Sequence, residues 1–223
     1  MKLRTIAPTL IAALALLGWA ATAPAGEYDL SFSGGFSVPT GDFKDIDAET
    51  GPQIGVDLHY HFSPAVALGV DLSWMRNKHA GEGETEDLGG GVLVTAEKDR
   101  YNTIHYGVHG KYFFSTAGSL DPWVVLGLGF YNLKNDYEYT VDDGVNPPVT
   151  FTDESDEADG LFEQPGSRFG YRLGAGVTYM TSPKMGIGLG FDYNSISIDE
   201  DEFGISSAPF YSILGRITFR LGN

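Results

Sequence analysis

An all-β fold is predicted for this 223-residue chain by three features of its sequence. Apolar and polar residues alternate with a period of two in eight separate segments, which is typical of strands with one apolar face. No segment between them has a convincing helical period. The connections between the segments alternate strictly between short and long. Together these features predict eight antiparallel strands in an up-and-down arrangement.

The N-terminal segment differs from the rest of the chain. Lys2 and Arg4 precede an apolar run over residues 6–21, and an A-x-A site of small residues follows. This order is typical of a secretory signal peptide. The alternative is an N-terminal membrane anchor, but the run barely reaches spanning length. We therefore predict a signal peptide over residues 1–25 and one domain over residues 26–223.

Each of the eight segments places apolar side chains on one face and small or polar ones on the other. In one segment, for example, Ile54, Val56 and Leu58 alternate with smaller or polar residues. The segments cover residues 28–38, 53–62, 66–74, 103–114, 124–131, 168–179, 186–194 and 211–221. Their lengths of about ten residues are enough for a tilted strand to cross a bilayer.

The connections predict how the strands are placed. The short ones lie near residues 63–64, 115–121 and 181–184, and the long ones near residues 39–50, 77–100, 135–166 and 199–206. Successive hairpins of an up-and-down barrel put all the long loops at one end. Transmembrane β-barrels have short periplasmic turns and longer outer loops. An even strand count returns both termini to the short-turn side, which predicts that both lie in the periplasm.

A membrane barrel and a soluble barrel or sandwich share the same alternation, so two further features decide between them. Aromatic residues such as Tyr60, Phe62 and Trp74 lie near the two ends of the apolar face, as in the aromatic girdles of membrane barrels. The polar face carries glycine, serine and histidine rather than the lysine and glutamate of a solvated surface. The prediction is an eight-stranded antiparallel up-and-down transmembrane β-barrel.

The polar face carries acids and bases in equal number. They are Glu27, Asp29, Asp57, Asp71 and Asp192 against Lys111, Arg168, Arg172, Arg216 and Arg220. An unpaired buried charge is costly, so a narrow interior requires these side chains to pair. We predict that they form an interior charge network.

Four histidines share this interior face: His59, His61, His105 and His109. Imidazole and carboxylate are good metal ligands, so a metal site near the interior aspartates is one interpretation. Strand three, however, separates the strands that carry the two pairs of histidines. Hydrogen-bonded interior histidines are therefore the favoured interpretation.

The long connections are strongly acidic. They hold 24 of the 30 acidic residues and only four bases, a net charge of −20. Solubilisation is one explanation, and binding of divalent cations or of a partner is another. We predict a weak divalent-cation site formed by Asp153, Glu154, Asp156, Glu157, Asp159, Asp199, Glu200, Asp201 and Glu202. Residues 137–141 and 149–152 also alternate and predict a hairpin around Asp143.

Several kinds of chemistry are excluded or disfavoured. A net charge of −16 excludes nucleic-acid binding as a main role, and the absence of cysteine excludes thiolate sites. The glycine-rich stretches 127–129, 174–176 and 186–190 complete no phosphate-binding motif. No serine–histidine spacing indicates a hydrolase. We predict no enzymatic activity and no cofactor.

Residues 34–43, their continuation through 63–64 to Trp74, and the last strand over 211–221 resemble the small outer-membrane β-barrel domain family of Gram-negative bacteria. Its relatives include the OmpX, OmpA-barrel and OmpW types. The resemblance implies a place in the outer membrane, contact with lipid and lipopolysaccharide, and insertion by the barrel-assembly machinery. It marks an architecture rather than one activity.

The function that follows is a structural, surface-interaction role, with a filled interior and acidic extracellular loops. The alternative is a small porin-like channel for apolar or cationic solutes. An eight-stranded barrel is only just wide enough for its own side chains, which disfavours a water-filled pore.

Overall fold

The computed structural model describes residues 27–45, 48–79, 83–114, 118–153, 167–197 and 207–222. The predicted signal peptide over residues 1–25 lies outside them. Within these ranges, no helix has both the length and the apolar character needed to span a membrane.

The described residues form ten strands and one short helix. In chain order they are β1 (Tyr28–Pro39), α1 (Asp42–Asp45), β2 (Gly51–Ser63), β3 (Val66–Lys78), β4 (Thr85–Asp87), β5 (Leu93–Phe113), β6 (Leu120–Asp142), β7 (Val149–Asp153), β8 (Ser167–Ser182), β9 (Met185–Ser197) and β10 (Ser207–Leu221).

Eight of these strands close into an antiparallel barrel. Their order is β5-β3-β2-β1-β10-β9-β8-β6, and pairing of β5 with β6 closes the sheet. The predicted fold class is therefore confirmed. Closure pairs every barrel strand on both sides, so no backbone edge is left open to lipid.

The strands β4 and β7 lie outside the barrel. They pair with the outward extensions of β5 and β6, in segments that the sequence analysis assigned to long connections. The hairpin predicted around Asp143 is confirmed, since 137–141 of β6 pair with 149–153 of β7. The extension of β5 over residues 93–99 was not predicted as a strand because polar residues occupy both of its faces.

The predicted alternation decides which side chains face outward. Phe36, Ile54 and Leu189 are each more than half exposed, whereas Asp57 and Asp192 of the opposite parity are buried. This reverses the pattern of a soluble protein, because hydrocarbon lies outside the barrel and polar groups must find partners inside it.

The first and the last strand of the barrel begin and end, respectively, at the same end of the barrel. Tyr28 at the start of β1 pairs with Leu221 at the end of β10. The tight turns between β2 and β3 and between β8 and β9 lie at this end too. We call it the short-turn end and the opposite one the long-loop end.

Candidate functional site

A band of ionised side chains crosses the barrel interior. Asp57 and Asp71 lie opposite each other on β2 and β3, and like charges in that position repel. Arg216 donates through Nη1 to Asp57 Oδ2 at 3.2 Å and through Nη2 to Asp192 Oδ2 at 3.0 Å. Arg172 donates to the two oxygens of Asp71 at 3.3 and 3.4 Å. Each of these three carboxylates thus has a guanidinium partner.

A second ionic group lies at the short-turn end. Arg220 Nε donates to Asp29 Oδ1 at 3.1 Å, and His61 Nε2 lies 2.9 Å from Asp29 Oδ2. Glu27 is exposed, and its Oε2 lies 3.9 Å from Arg220 Nε. Because both Glu27 and Arg220 are accessible to solvent, this group is the weaker part of the predicted network.

The structure thus brings together nine of the ten predicted network residues in two groups. The tenth, Arg168, lies in β8 with Tyr131 of β6 as its neighbour in register.

Trp123 packs against two of the three cations of the central band, Lys111 and Arg216. Lys111 Nζ lies 4.6 Å and Arg216 Cζ 5.1 Å from the ring centre, within the range of cation–π attraction. The indole fits there because Gly176 and Gly190 face it, and a Cβ built at Gly190 lies 3.0 Å from Trp123 Cη2. Sequence reasoning did not place Trp123 inside the barrel, although it shares the parity of Val125.

His59 and His109 meet across the strand between them. Both residues pair in register with Gly69 of β3, so they lie in one row. Their Nε2 atoms are 2.7 Å apart. A Cβ built at Gly69 lies 2.9 Å from His109 Nε2 and 3.0 Å from His59 Cδ2. The third strand does lie between the strands that carry these histidines, as predicted, but the missing side chain of Gly69 leaves room for the two rings to meet across it.

Asp71 orients two of the histidines. His109 Nδ1 lies 2.7 Å from Asp71 Oδ1, and His105 Nδ1 lies 2.9 Å from Asp71 Oδ2. A carboxylate only accepts, so these Nδ1 atoms carry the protons. In the neutral ring of His109, Nε2 is then an acceptor that faces His59.

Apolar side chains occupy the interior on both sides of the ionic band. Toward the long-loop end, Phe43 of α1 inserts among buried residues that include Met75, Tyr101, Tyr131 and Phe210. Toward the short-turn end, Trp123 packs with Ala67, Phe113 and Val125. A cavity of about 20 Å³ lies beside the band, lined by residues that include Asp57, Asp192 and Arg172. That is room for about one water molecule.

A small sheet projects from the long-loop end. It consists of β4, residues 93–99 of β5, residues 136–142 of β6, and β7, and we call it the projecting sheet. The pairing of β3 with β5 ends at Arg100 of β5. The seven residues 93–99 of β5 therefore extend the projecting sheet about 24 Å beyond the end of β3. Phe151 stacks on Tyr139 there, with ring centres 5.0 Å apart, and is 45% exposed.

The tip of the projecting sheet is a turn held by Asp143. The backbone N–H groups of Asn146 and Val145 donate to Asp143 Oδ1 at 2.7 and 2.9 Å, and the Asn146 side-chain amide donates to Oδ2 at 2.8 Å. These hydrogen bonds, first among them that from the Asn146 backbone, lower the pKa of Asp143 to about 2. Gly144 supplies the positive φ of 68° that the turn requires.

The predicted divalent-cation residues fall mostly outside the part of the chain that the structure describes. Of the nine, only Asp153 lies within it, at the end of β7. The residues Glu154, Asp156, Glu157, Asp159, Asp199, Glu200, Asp201 and Glu202 lie outside the described ranges.

Comparison with protein families gives one match over most of the chain. Residues 11–208 match the family described as outer membrane protein β-barrel domain. Comparison with curated proteins gives no match.

Solved structures of small barrels resemble this fold. Neisserial surface protein A shares 14% identity, with a TM-score of 0.52, 88% of this chain and 98% of that chain being covered. The outer membrane protein OprG from Pseudomonas aeruginosa shares 12% identity, with a TM-score of 0.48 and coverage of 89% and 97%. The outer membrane enzyme PagL shares 13% identity, with a TM-score of 0.43 and coverage of 84% and 97%. At 14% identity, the likeness to neisserial surface protein A supports the fold alone.

Proposed function

Because the chain belongs to the outer membrane protein β-barrel domain family, we propose that it is a surface-interaction protein of the outer membrane whose barrel conducts no solute. The projecting sheet carries this proposal. It places exposed side chains about 24 Å beyond the end of β3, and a barrel that only anchors itself in lipid has no need of such an extension.

The surface of the projecting sheet combines apolar and acidic side chains. Leu88, Val145, Val149 and Phe151 are between 45 and 87% exposed. Exposed apolar groups that form a contiguous patch on a water-facing surface mark contact sites for other molecules. Carboxylates such as Asp143 surround them, so the partner that fits is a protein with an apolar centre and a basic rim, or an anionic surface bridged by divalent cations.

The barrel interior supports the proposal that the barrel conducts no solute. Two apolar layers and one ionic layer occupy the barrel, and the cavity between them measures only about 20 Å³. A solute path would have to pass Trp123 and Phe43, each about 1% exposed. The alternative channel function requires these layers to move.

Conductance of the refolded mature chain in planar lipid bilayers tests the interior. We expect no step-like conductance, and stable single-channel steps would favour the channel instead. Binding to the projecting sheet is tested separately, with a chain that lacks residues 83–95 and 138–151 and keeps the barrel. Cells that display the full chain and cells that display the shortened chain are compared for binding of partner molecules. Equal binding by the two would contradict the surface role.

Orientation belongs to the same proposal. We infer that the long-loop end faces the cell exterior and that both termini lie in the periplasm, as short turns do in this class of barrels. The chain has no cysteine, so Val145→Cys and Ser63→Cys introduce single labelling sites. On intact cells an impermeant maleimide should label the first variant and not the second. Labelling of the second alone would reverse the orientation.

The absence of catalysis is also part of this proposal. Neither ionic group of the barrel interior contains a serine or threonine hydroxyl within hydrogen-bond reach of a histidine among the contacts of the described residues. Hydrolysis of a short-chain ester or of lipid A by the purified protein would contradict it.

A further inference from the structure

We propose that Asp57, His59 and His109 form a binding site for one transition-metal ion of the zinc type inside the barrel. Their three ligand atoms lie within 4.8 Å of one another. His59 Nε2 is 2.7 Å from His109 Nε2 and 3.2 Å from Asp57 Oδ1. All three residues are buried.

The free acceptor in this cluster is Asp57 Oδ1. The other oxygen of Asp57 accepts a hydrogen bond from Arg216, but Oδ1 has no hydrogen-bond partner among the described residues. A buried carboxylate oxygen that accepts no hydrogen bond is costly, and coordination of a metal ion would satisfy it. His59 lies two residues along β2 from Asp57, and His109 lies in register with His59 across Gly69.

The surroundings orient the ligands as a metal requires. Asp71 accepts from His109 Nδ1 at 2.7 Å, which leaves Nε2 free to coordinate. A carboxylate behind a ligating histidine is the usual support of such sites. Gly69 completes the arrangement, because any side chain there would occupy the space between the rings.

The donor set indicates the class of metal. Two imidazole nitrogens and one carboxylate suit zinc or its neighbours in the first transition row rather than calcium or magnesium. Tetrahedral zinc with bonds of 2.0–2.1 Å holds its ligand atoms about 3.3 Å apart. The 3.2 Å separation between His59 and Asp57 already fits, and the two histidines need to separate by about 0.6 Å.

The local charge predicts what the metal displaces. Asp57, Asp71 and Asp192 balance Lys111, Arg172 and Arg216, so the cluster is neutral when its histidines are neutral. Lys111 Nζ lies 3.8 Å from Asp57 Oδ1, the atom that would bind the metal. The metal therefore competes with the Lys111 ammonium, and Lys111→Met should bind the metal at least about tenfold more tightly.

The test begins with the untagged mature chain, refolded from urea into detergent micelles in the presence of Zn²⁺. After exchange into zinc-free buffer with excess Mg²⁺, which removes zinc from loop carboxylates, the zinc content per chain is measured by mass spectrometry. We expect about one zinc per wild-type chain. We expect at least a tenfold loss in His59→Gln and His109→Gln, and no loss in the control His61→Gln, whose ring contacts Asp29 instead.

Zinc-free wild-type protein would overturn the proposal, as would full retention by the two glutamine variants. If those variants fail to fold, X-ray absorption at the zinc edge of the wild-type protein decides. Nitrogen ligands with imidazole scattering support the interior site, and an all-oxygen shell overturns it.

Discussion

We predict that loss of Arg216, which bridges two carboxylates of the barrel interior, strongly destabilises the barrel. It is 6% exposed and pairs with two buried carboxylates, those of Asp57 and Asp192. Arg216→Met keeps an apolar stem against Trp123 and removes the cation. Asp57 then keeps the Lys111 ammonium at 3.8 Å and the His59 ring at 3.2 Å, and Asp192 loses its ion pair with Arg216.

The expected magnitude follows from the burial of this pair. Removing one partner of a buried ion pair costs about 3–5 kcal/mol, because the remaining charge is left without compensation. At an m-value of about 2 kcal/mol/M, that lowers the urea midpoint by roughly 1.5–2.5 M. The measurement is equilibrium unfolding of the refolded chain in lipid vesicles, followed by tryptophan fluorescence.

Two controls separate charge from packing. Arg220→Met removes a cation whose side chain is 27% exposed, so its midpoint should change by less than about 0.5 M, corresponding to at most 1 kcal/mol. The triple variant Arg216→Met, Asp57→Asn, Asp192→Asn removes the stranded charges and should recover more than half of the loss. An unchanged midpoint in Arg216→Met would mean that the interior is hydrated. A triple variant as unstable as the single one would assign the effect to lost contacts with Trp123.

Two further predictions concern the projecting sheet and the outer loops. Asp143 has a pKa of about 2, below its ordinary 3.8, so its stabilisation of the turn is complete above the unfolded pKa and is lost as the pH falls from about 4 through 2. A carboxyl NMR titration should show a midpoint near that pKa, and Asn146→Ala should raise it. A midpoint at the ordinary value in the wild-type chain would refute the hydrogen-bonded turn. The acidic loops should bind calcium with a Kd of about 10⁻⁴–10⁻³ M by calorimetric titration. A variant with Asp153, Glu154, Asp156, Glu157, Asp159 and residues 199–202 changed to Asn or Gln should lose that heat, and equal heats would leave only a solubilising role.

The alternation of side chains made most of the barrel predictable. Lipid outside the barrel demands an apolar residue at every second position, so Ile54 and Leu189 identified their strands and faces without any tertiary information. The connection lengths then identified the two ends. Both signals are local, and both survive in a single sequence.

The contacts inside the barrel were less predictable. The pairing of His59 with His109 depends on the register of three strands and on Gly69, and no local pattern encodes that register. Trp123 was missed for a related reason, because its place depends on Gly176 and Gly190 in two other strands. The extension of β5 through residues 93–99 was missed because water on both sides removes the apolar face that marks a strand.

The fit between Trp123 and its two glycines also says how these positions are able to change through evolution or by design. A larger residue at Gly176 or Gly190 is compatible only with a smaller one at position 123, so the three positions should vary together in related chains. The indole of Trp123 is also the side chain that fills the space left by the two glycines. Trp123→Gly would open space beside Lys111 and Arg216, while Phe43 and the residues packed with it would still fill the interior toward the long-loop end. A single substitution at position 123 thus leaves one of the two apolar layers across the interior unchanged.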